Sequence, residues 1–168
     1  MKTDHVVRLS GASATILTLA FLGIAVCVQS QTSDQATVIA SAKKGAMAAV
    51  NFRQGDGASL KRARNDFTSD GWKSFIGHMQ GFLDQNGVPQ FSSTFVASKE
   101  PVLLGENNGV VHFRIPGTLT QAQGASKTVY RAALEVYAER SPTEHGGSST
   151  KILRLEQITC VGASQACQ

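Results

Sequence analysis

The sequence predicts an α+β domain in which N-terminal helices pack on one face of an antiparallel sheet of about four strands. Three observations predict it. Before Pro89 the apolar residues recur at helical spacings of three and four, and from there on they alternate with a period near two. Turn clusters such as "ENNG" and "SPTEHGGSST" then cut the second half into lengths typical of strands. A chain of 168 residues, 42% hydrophobic and 17% charged, is also long and apolar enough for one domain with a real core, which excludes disorder for most of it.

The first helix is expected over residues 35–50, "QATVIASAKKGAMAAV", where Ile39, Ala42, Ala46 and Ala49 form a stripe of small residues suited to close packing. "RQGDGAS" breaks it with two glycines around Asp56, and "LKRARNDF" gives a short basic helix or turn. "FTSDGWKSFIGHMQGF" over 67–82 reads as the strongest helix. Thr68 or Ser69 can cap it, and Asp70 suits the positive helix end. Trp72, Phe75, Ile76, Met79, Phe82 and Leu83 then trace one apolar face until "QNGVP". An antiparallel sheet with one inward face needs such a stripe to cover it, so Trp72 and its neighbours are expected in the core.

"QFSSTFVAS" and "PVLL" predict a first strand kinked at Pro101. In "GVVHFRIPGTLT", Val111, Phe113 and Ile115 alternate against Val110, His112 and Arg114. "KTVYRAALEVYAER" is a long strand with Tyr130, Ala132, Leu134 and Val136 on one side and Arg131, Glu135 and Tyr137 among those on the other. "KILRLEQITCV" is the last strand.

Residues 1–30 stand apart as a leader with a membrane anchor or signal peptide, ahead of an exported domain at 31–168. Lys2 and Arg8 precede residues 11–30, which carry no charge. The strongest apolar run, Ile16 to Val28, has the 13 residues of a signal-peptide core, while the full uncharged stretch of 20 just spans a bilayer. Val28 and Ser30 are small enough to frame a cleavage site before Gln31, so both readings stay open. In either case the basic leader stays cytoplasmic and residues 31–168 are exported to a compartment expected to be oxidising. Cys27 belongs to the membrane segment. Cys160 and Cys167 in "CVGASQAC" are then expected to form a disulfide that pins the C-terminal tail, against the alternative of two free thiols.

Setting aside Lys2, Arg8 and Asp4, the exported part has 14 basic residues against 11 acidic ones, too mild an excess to define a partner by itself. It is uneven, since Lys43, Lys44, Arg53, Lys61, Arg62 and Arg64 face only Asp56 between residues 43 and 64. Such a surface suits anionic lipid headgroups or an acidic partner, or is merely a solvated helical face. Phe52 is the lone aromatic interleaved with these charges, so no nucleic-acid partner is expected.

The candidates for acid/base chemistry are His78, His112, Asp70, Asp84 and Glu135, with His145 in a loop. Neither His78 nor His112 has a sequence-local carboxylate partner at a telling spacing, though residues distant in sequence can meet in space. The chain has no His-x-x-x-His, no paired Cys and His, no Asp-rich calcium loop, no phosphate loop flanked by strand and helix, and no Gly-x-Ser-x-Gly elbow. No catalytic, metal-binding or cofactor-binding residue is therefore expected.

"DFTSDGWKSFIGHM" is similar to the aromatic-Thr-x-x-Gly-Trp-x-x-Phe phrase of the DotI/IcmL family of type IV secretion inner-membrane subunits. The order of parts resembles the family too: a basic leader, one membrane segment, a small helix, the Gly-Trp helix, then long strands. The resemblance rests on Phe67, Thr68, Gly71, Trp72 and Phe75, a structural signature and not a catalytic one. It implies a nuclear transport factor 2-like fold, helices against a curved sheet, anchored in the bacterial inner membrane with a periplasmic domain. It further implies a non-enzymatic role in homo-oligomeric or hetero-complex assembly with other secretion or conjugation subunits. The Cys160/Cys167 pair is not part of that pattern. The alternative expectation is a periplasmic or secreted domain of the same fold that binds or transforms a small apolar ligand, in a cavity lined by Trp72, Phe113 and Tyr130.

Overall fold

The computed structural model describes residues 34–143 and 147–160. The leader and membrane segment, His145 and Cys167 lie outside the described residues. The fold described is that of the unit Ala36–Gln168. Helix α1 covers residues 34–50, α2 Gly57–Ala63 and α3 Ser69–Met79, with 3-10 turns at Arg64–Asp66 and Gln80–Phe82. Five strands follow: β1 Ser92–Ala97, β2 Val102–Asn107, β3 Val110–Gln123, β4 Ser126–Pro142 and β5 Ser148–Thr159.

Local chemistry sets the helix starts. The Asp56 carboxylate accepts from the Ala58 and Ser59 amides, both at 3.1 Å, and so caps α2. The Thr68 hydroxyl accepts from the Gly71 amide at 3.1 Å and caps α3, with Asp70 in the first turn where the helix dipole favours an anion.

The sheet is antiparallel with strand order β1-β3-β4-β5, and β2 also pairs with β3. The single kinked strand expected at the start is therefore two strands on one edge of β3: β1 pairs with Gly117–Ala122 and β2 with Val110–Arg114. The Ser98 amide still donates to the Pro116 carbonyl at 2.9 Å, but Pro101 has no amide to continue the ladder. Pairing resumes at Val102 opposite Arg114. Asn108 and Gly109, at φ 51° and 77°, make the tight turn between β2 and β3, a conformation open to Asn and Gly and to few other residues.

One face of the sheet is the core. Phe95 of β1, Val111, Phe113, Ile115 and Leu119 of β3, Leu134, Val136 and Ala138 of β4, and Ile152 of β5 are buried on it. The helical layer covers this face with Val38, Ala42, Ala46 and Ala49 of α1, Leu60 and Ala63 of α2, and Phe75 of α3. The alternation read for β3 and β4 holds, with His112, Arg114, Glu135 and Tyr137 on the other face. The share of the two main helices differs from expectation. Trp72, Ile76 and Met79 are only half-buried, and Phe82 is 51% exposed. For Phe82 the cause is local: α3 stops at Met79, and the tighter 3-10 winding of residues 80–82 turns Phe82 off the stripe. The small residues of α1, which let a helix backbone approach the sheet closely, supply more of the sealed surface.

Candidate functional site

The five signature residues meet at one point on β5. Phe67 bridges to Ile152, and the Thr68 amide donates to the Ile152 carbonyl at 3.0 Å. The Phe67, Trp72 and Phe75 rings form a triangle with centroids 5.5 to 5.6 Å apart, in the range of favourable aromatic pairs. A methyl group at Gly71 would lie 2.5 Å from the Ile152 carbonyl oxygen and 2.7 Å from that of Leu153, so glycine is what lets α3 lie directly on the strand backbone. Polar groups and rings are thus consumed in holding α3 to the sheet. This cluster is a joint between elements, and it leaves no group poised for chemistry.

Beyond the joint, helix and sheet diverge around a cavity of about 520 Å³. Its walls include Phe52, Met79, Phe82, Phe91, Tyr130 and Leu155, with Ser93, Gln121, Gln157 and Thr159 as polar points. Tyr130 lines it as expected. Phe113 and Trp72 do not: the first is fully buried in the core and the second is held in the aromatic triangle. His78 stands at the wall, exposed, with Nδ1–H donating to the Ser74 carbonyl of its own helix at 2.8 Å. The carboxylate at the wall is Glu156, which accepts from Arg154 Nε at 2.8 Å. The walls therefore suit an apolar guest better than a proton transfer. The other carboxyl candidates have local structural tasks. Asp70 pairs with Lys73 at 3.3 Å on the surface, and Asp84 accepts from the Asn86 and Val88 amides, both at 2.8 Å, closing a turn.

The opposite face of the sheet carries a cluster that the linear sequence did not reveal. Arg114 lies across from Glu135, His112 from Tyr137, and Tyr137 from Arg154. Arg114 donates to Glu135 Oε1 through Nε at 3.0 Å and through its terminal amino group. His112 Nε2 is 3.4 Å from Glu135 Oε2, and its ring stacks on Tyr137 with centroids 4.0 Å apart. The Arg154 guanidinium sits 5.6 Å above the Tyr137 ring from the other side strand. Burial works to raise the Glu135 pKa. The hydrogen bonds and charge of Arg114, with His112 adding to them, outweigh burial and hold the carboxyl below its usual range. The signal that would have found the cluster is the β3–β4 turn: Gly124, at φ 58°, starts a two-residue hairpin loop, and that loop fixes every cross-strand pair.

Of the basic residues, Lys43 pairs with Glu100 at 3.1 Å, while Lys44, Lys61, Arg62 and Arg64 are exposed. The Cys160 amide donates to the Arg131 carbonyl at 2.9 Å, which fixes the start of the C-terminal tail. Among the described residues no group of three or more His, Cys, Asp or Glu side chains is placed to hold a metal ion, and no helix is long and apolar enough to cross a membrane.

No family model and no curated protein matches the chain. Solved structures do. The periplasmic domain of DotI superposes with a TM-score of 0.59 at 20% identity, over 71% of this chain and 91% of that one. The fold is that of the DotI and IcmL-like periplasmic domains. An IcmL-like type IV secretion system protein from Legionella pneumophila gives 0.57 at 13% identity, over 77% of this chain and 96% of the other. A periplasmic fragment of TraM gives 0.56 at 12%, over 76% and 98%. The helical layer on a curved antiparallel sheet is the nuclear transport factor 2-like arrangement that the Gly-Trp phrase implied. At these identities the likeness is one of fold.

Proposed function

We propose that this protein is a non-enzymatic structural subunit of a type IV secretion or conjugation complex in the bacterial cell envelope. Its exported domain works on the periplasmic side through protein–protein contacts, in a homo-oligomer or a hetero-complex, and residues 11–30 tether it to the inner membrane. The observation that carries this reading is the fold likeness, which spans 91% to 98% of three solved chains, one of them named as a type IV secretion system protein and the other two as periplasmic parts of DotI and TraM. The joint at Ile152 supports it, because the most distinctive residues of the chain are spent on internal architecture. Crosslinking in cells tests the reading: the domain is expected in complexes with envelope proteins or with itself, and recovery of monomer alone would overturn it. Intact mass of membrane-extracted protein tests the tether, since a mature species starting at Gln31 excludes a permanent anchor.

A second reading is favoured by the 520 Å³ cavity, which suits binding of a small apolar molecule between helix and sheet. With Glu156 engaged by Arg154 and His78 turned to its own helix, binding and not transformation is the form this reading takes. Native mass spectrometry of protein purified from its own cells tests it. A bound species lost on filling the cavity with Ser93→Phe supports the reading, and an empty protein removes it.

A further inference from the structure

Beyond assembly, we infer that the end of α2 and the neighbouring face of α1 form a docking surface for anionic phospholipid headgroups. Its parts come from three elements. In α2, Leu60 and Ala63 are buried, which turns Lys61, Arg62 and the following Arg64 to solvent. On β5, Lys151 reaches the same turn and its Nζ donates to the Asn65 carbonyl at 2.5 Å. From α1, Gly45 packs so closely on the turn that a methyl group there would lie 2.6 Å from Asp66 Cβ, which brings the exposed Lys44 alongside. Five cations thus converge from positions 44, 61, 62, 64 and 151. Asp66 and Glu139, which lies across the sheet from Lys151, are the carboxylates these contacts bring with them, and Asp56 is occupied as the α2 cap, so the five cations keep an excess. Lys43, one residue from Lys44, is already neutralised by Glu100 and is not counted.

Charge complementarity selects an anionic occupant, and the length of chain selects a bilayer. The uncharged stretch ends at residue 30 and α1 begins by residue 34, a gap that extended chain spans in roughly 14 Å. Lys44 follows about 15 Å further along the helix. These lengths are upper limits that let a tethered domain turn this surface onto the headgroups, where each Lys or Arg adds to the attraction once it comes within a Debye length. For this reach the inference rests on the proposed tether.

The test uses the full chain reconstituted into vesicles of phosphatidylcholine alone or of phosphatidylcholine with phosphatidylglycerol. Lysines are labelled with a membrane-impermeant acetylating reagent and read by mass spectrometry. Labelling of Lys44, Lys61 and Lys151 is expected to fall at least about threefold in the anionic vesicles and to recover near 0.5 M salt, where the Debye length shrinks to about 4 Å. Lys127 serves as the internal control. It lies on β4 twelve residues from Glu139, the partner of Lys151, roughly 40 Å along the strand, and its labelling should not change. The exposed double substitution Lys61→Glu and Arg62→Glu should abolish the protection of Lys44 and Lys151 without unfolding the domain. Equal labelling in the two vesicle types overturns the inference. Protection seen only in native membranes also overturns it, and gives the surface to an acidic protein. Flotation of the vesicles after an alkaline carbonate wash reports the tether separately, so failure of one is not mistaken for failure of the other.

Discussion

Gly71→Ala is a test of how closely α3 lies on β5. In a helix, Gly→Ala ordinarily stabilises by about 1 kcal/mol, because alanine loses less backbone entropy on folding. At Gly71 the new methyl would meet the Ile152 carbonyl oxygen at 2.5 Å, the Leu153 oxygen at 2.7 Å and the Leu153 carbonyl carbon at 2.9 Å. Ordinary carbon–oxygen contacts begin near ~3.3 Å, so helix and strand must separate by several tenths of an ångström. The atoms in the way are strand backbone held in the β4–β5 ladder and cannot swing aside as a side-chain tip would. Backing α3 off also loosens the Phe67, Trp72 and Phe75 triangle and lengthens the Thr68 to Ile152 bond. Overpacking of this kind costs about 1 to 3 kcal/mol and cancels or exceeds the propensity gain of about 1 kcal/mol, so the net is a loss of up to roughly 2 kcal/mol and no stabilisation. Gly77 of the same helix supplies the control, since a methyl there meets nothing within 4 Å. Gly77→Ala should stabilise by about 0.5 to 1 kcal/mol. Urea unfolding followed by Trp72 fluorescence measures both. Equal stabilisation by the two substitutions would refute the close docking of α3.

Trp72→Ala should cost about 2 to 3 kcal/mol, less than the ~3 to 5 of a fully buried tryptophan, because Trp72 is half-buried; a cost under about 1 kcal/mol, measured by thermal or urea unfolding followed by circular dichroism, would place the ring outside the joint. Glu135 makes stability depend on acidity. Its folded pKa lies below the usual 4.5, so the unfolded chain binds the extra proton as pH falls. The contribution is complete above the usual value and is lost through it toward the lower folded value. Glu135→Gln should flatten this acid limb of a stability-versus-pH series, and an unchanged limb would contradict the Arg114 pairing. Arg114→Ala at neutral pH should cost about 1 to 3 kcal/mol, since it leaves a nearly buried carboxylate short of its main donor; urea unfolding reads it. The Cys160 and Cys167 pair should resist alkylation without reductant and gain the mass of two hydrogens on reduction, whereas two alkylated thiols before reduction would exclude the bridge.

How far the fold was legible follows from which signals are local. Period-two alternation in β3 and β4 is a property of each strand alone, and the faces it separates, Val111, Phe113 and Ile115 on one strand and Leu134 and Val136 on the other, are the ones buried in the core. The division of the first strand depended on where Pro101 falls against β3, which no local pattern shows. The cluster of His112, Arg114, Glu135 and Tyr137 was hidden for the same reason. The alternation groups His112 with Arg114 on one face of β3 and Glu135 with Tyr137 on one face of β4, yet the partner across the sheet is 21 or more positions away and is defined only by the strand register. One misplaced residue in the β3–β4 turn would have exchanged every pair. Gly124 carried that information, and a glycine between two alternating runs is a cheap signal to weigh before dismissing a lone histidine.

The apolar bulk of residues 67–83 divides at the end of α3 into two uses. Up to Phe75 the chain is a joint, in which Thr68 and Gly71 set the distance to Ile152 and three rings fill the angle. After Met79 the helix has ended and the 3-10 turn leaves Phe82 half exposed at the rim of the core, packed on the buried Phe91 with centroids 5.3 Å apart, so the same run of residues that seals the domain also builds the cavity wall. A continuous stripe would have closed this end of the sheet. Ending the helix one turn early leaves it open, so changes at positions 67 to 72 act through stability and a change at Phe82 acts on what the cavity admits, while Phe75 and Met79, which belong to the core packing and also line the cavity, act on both.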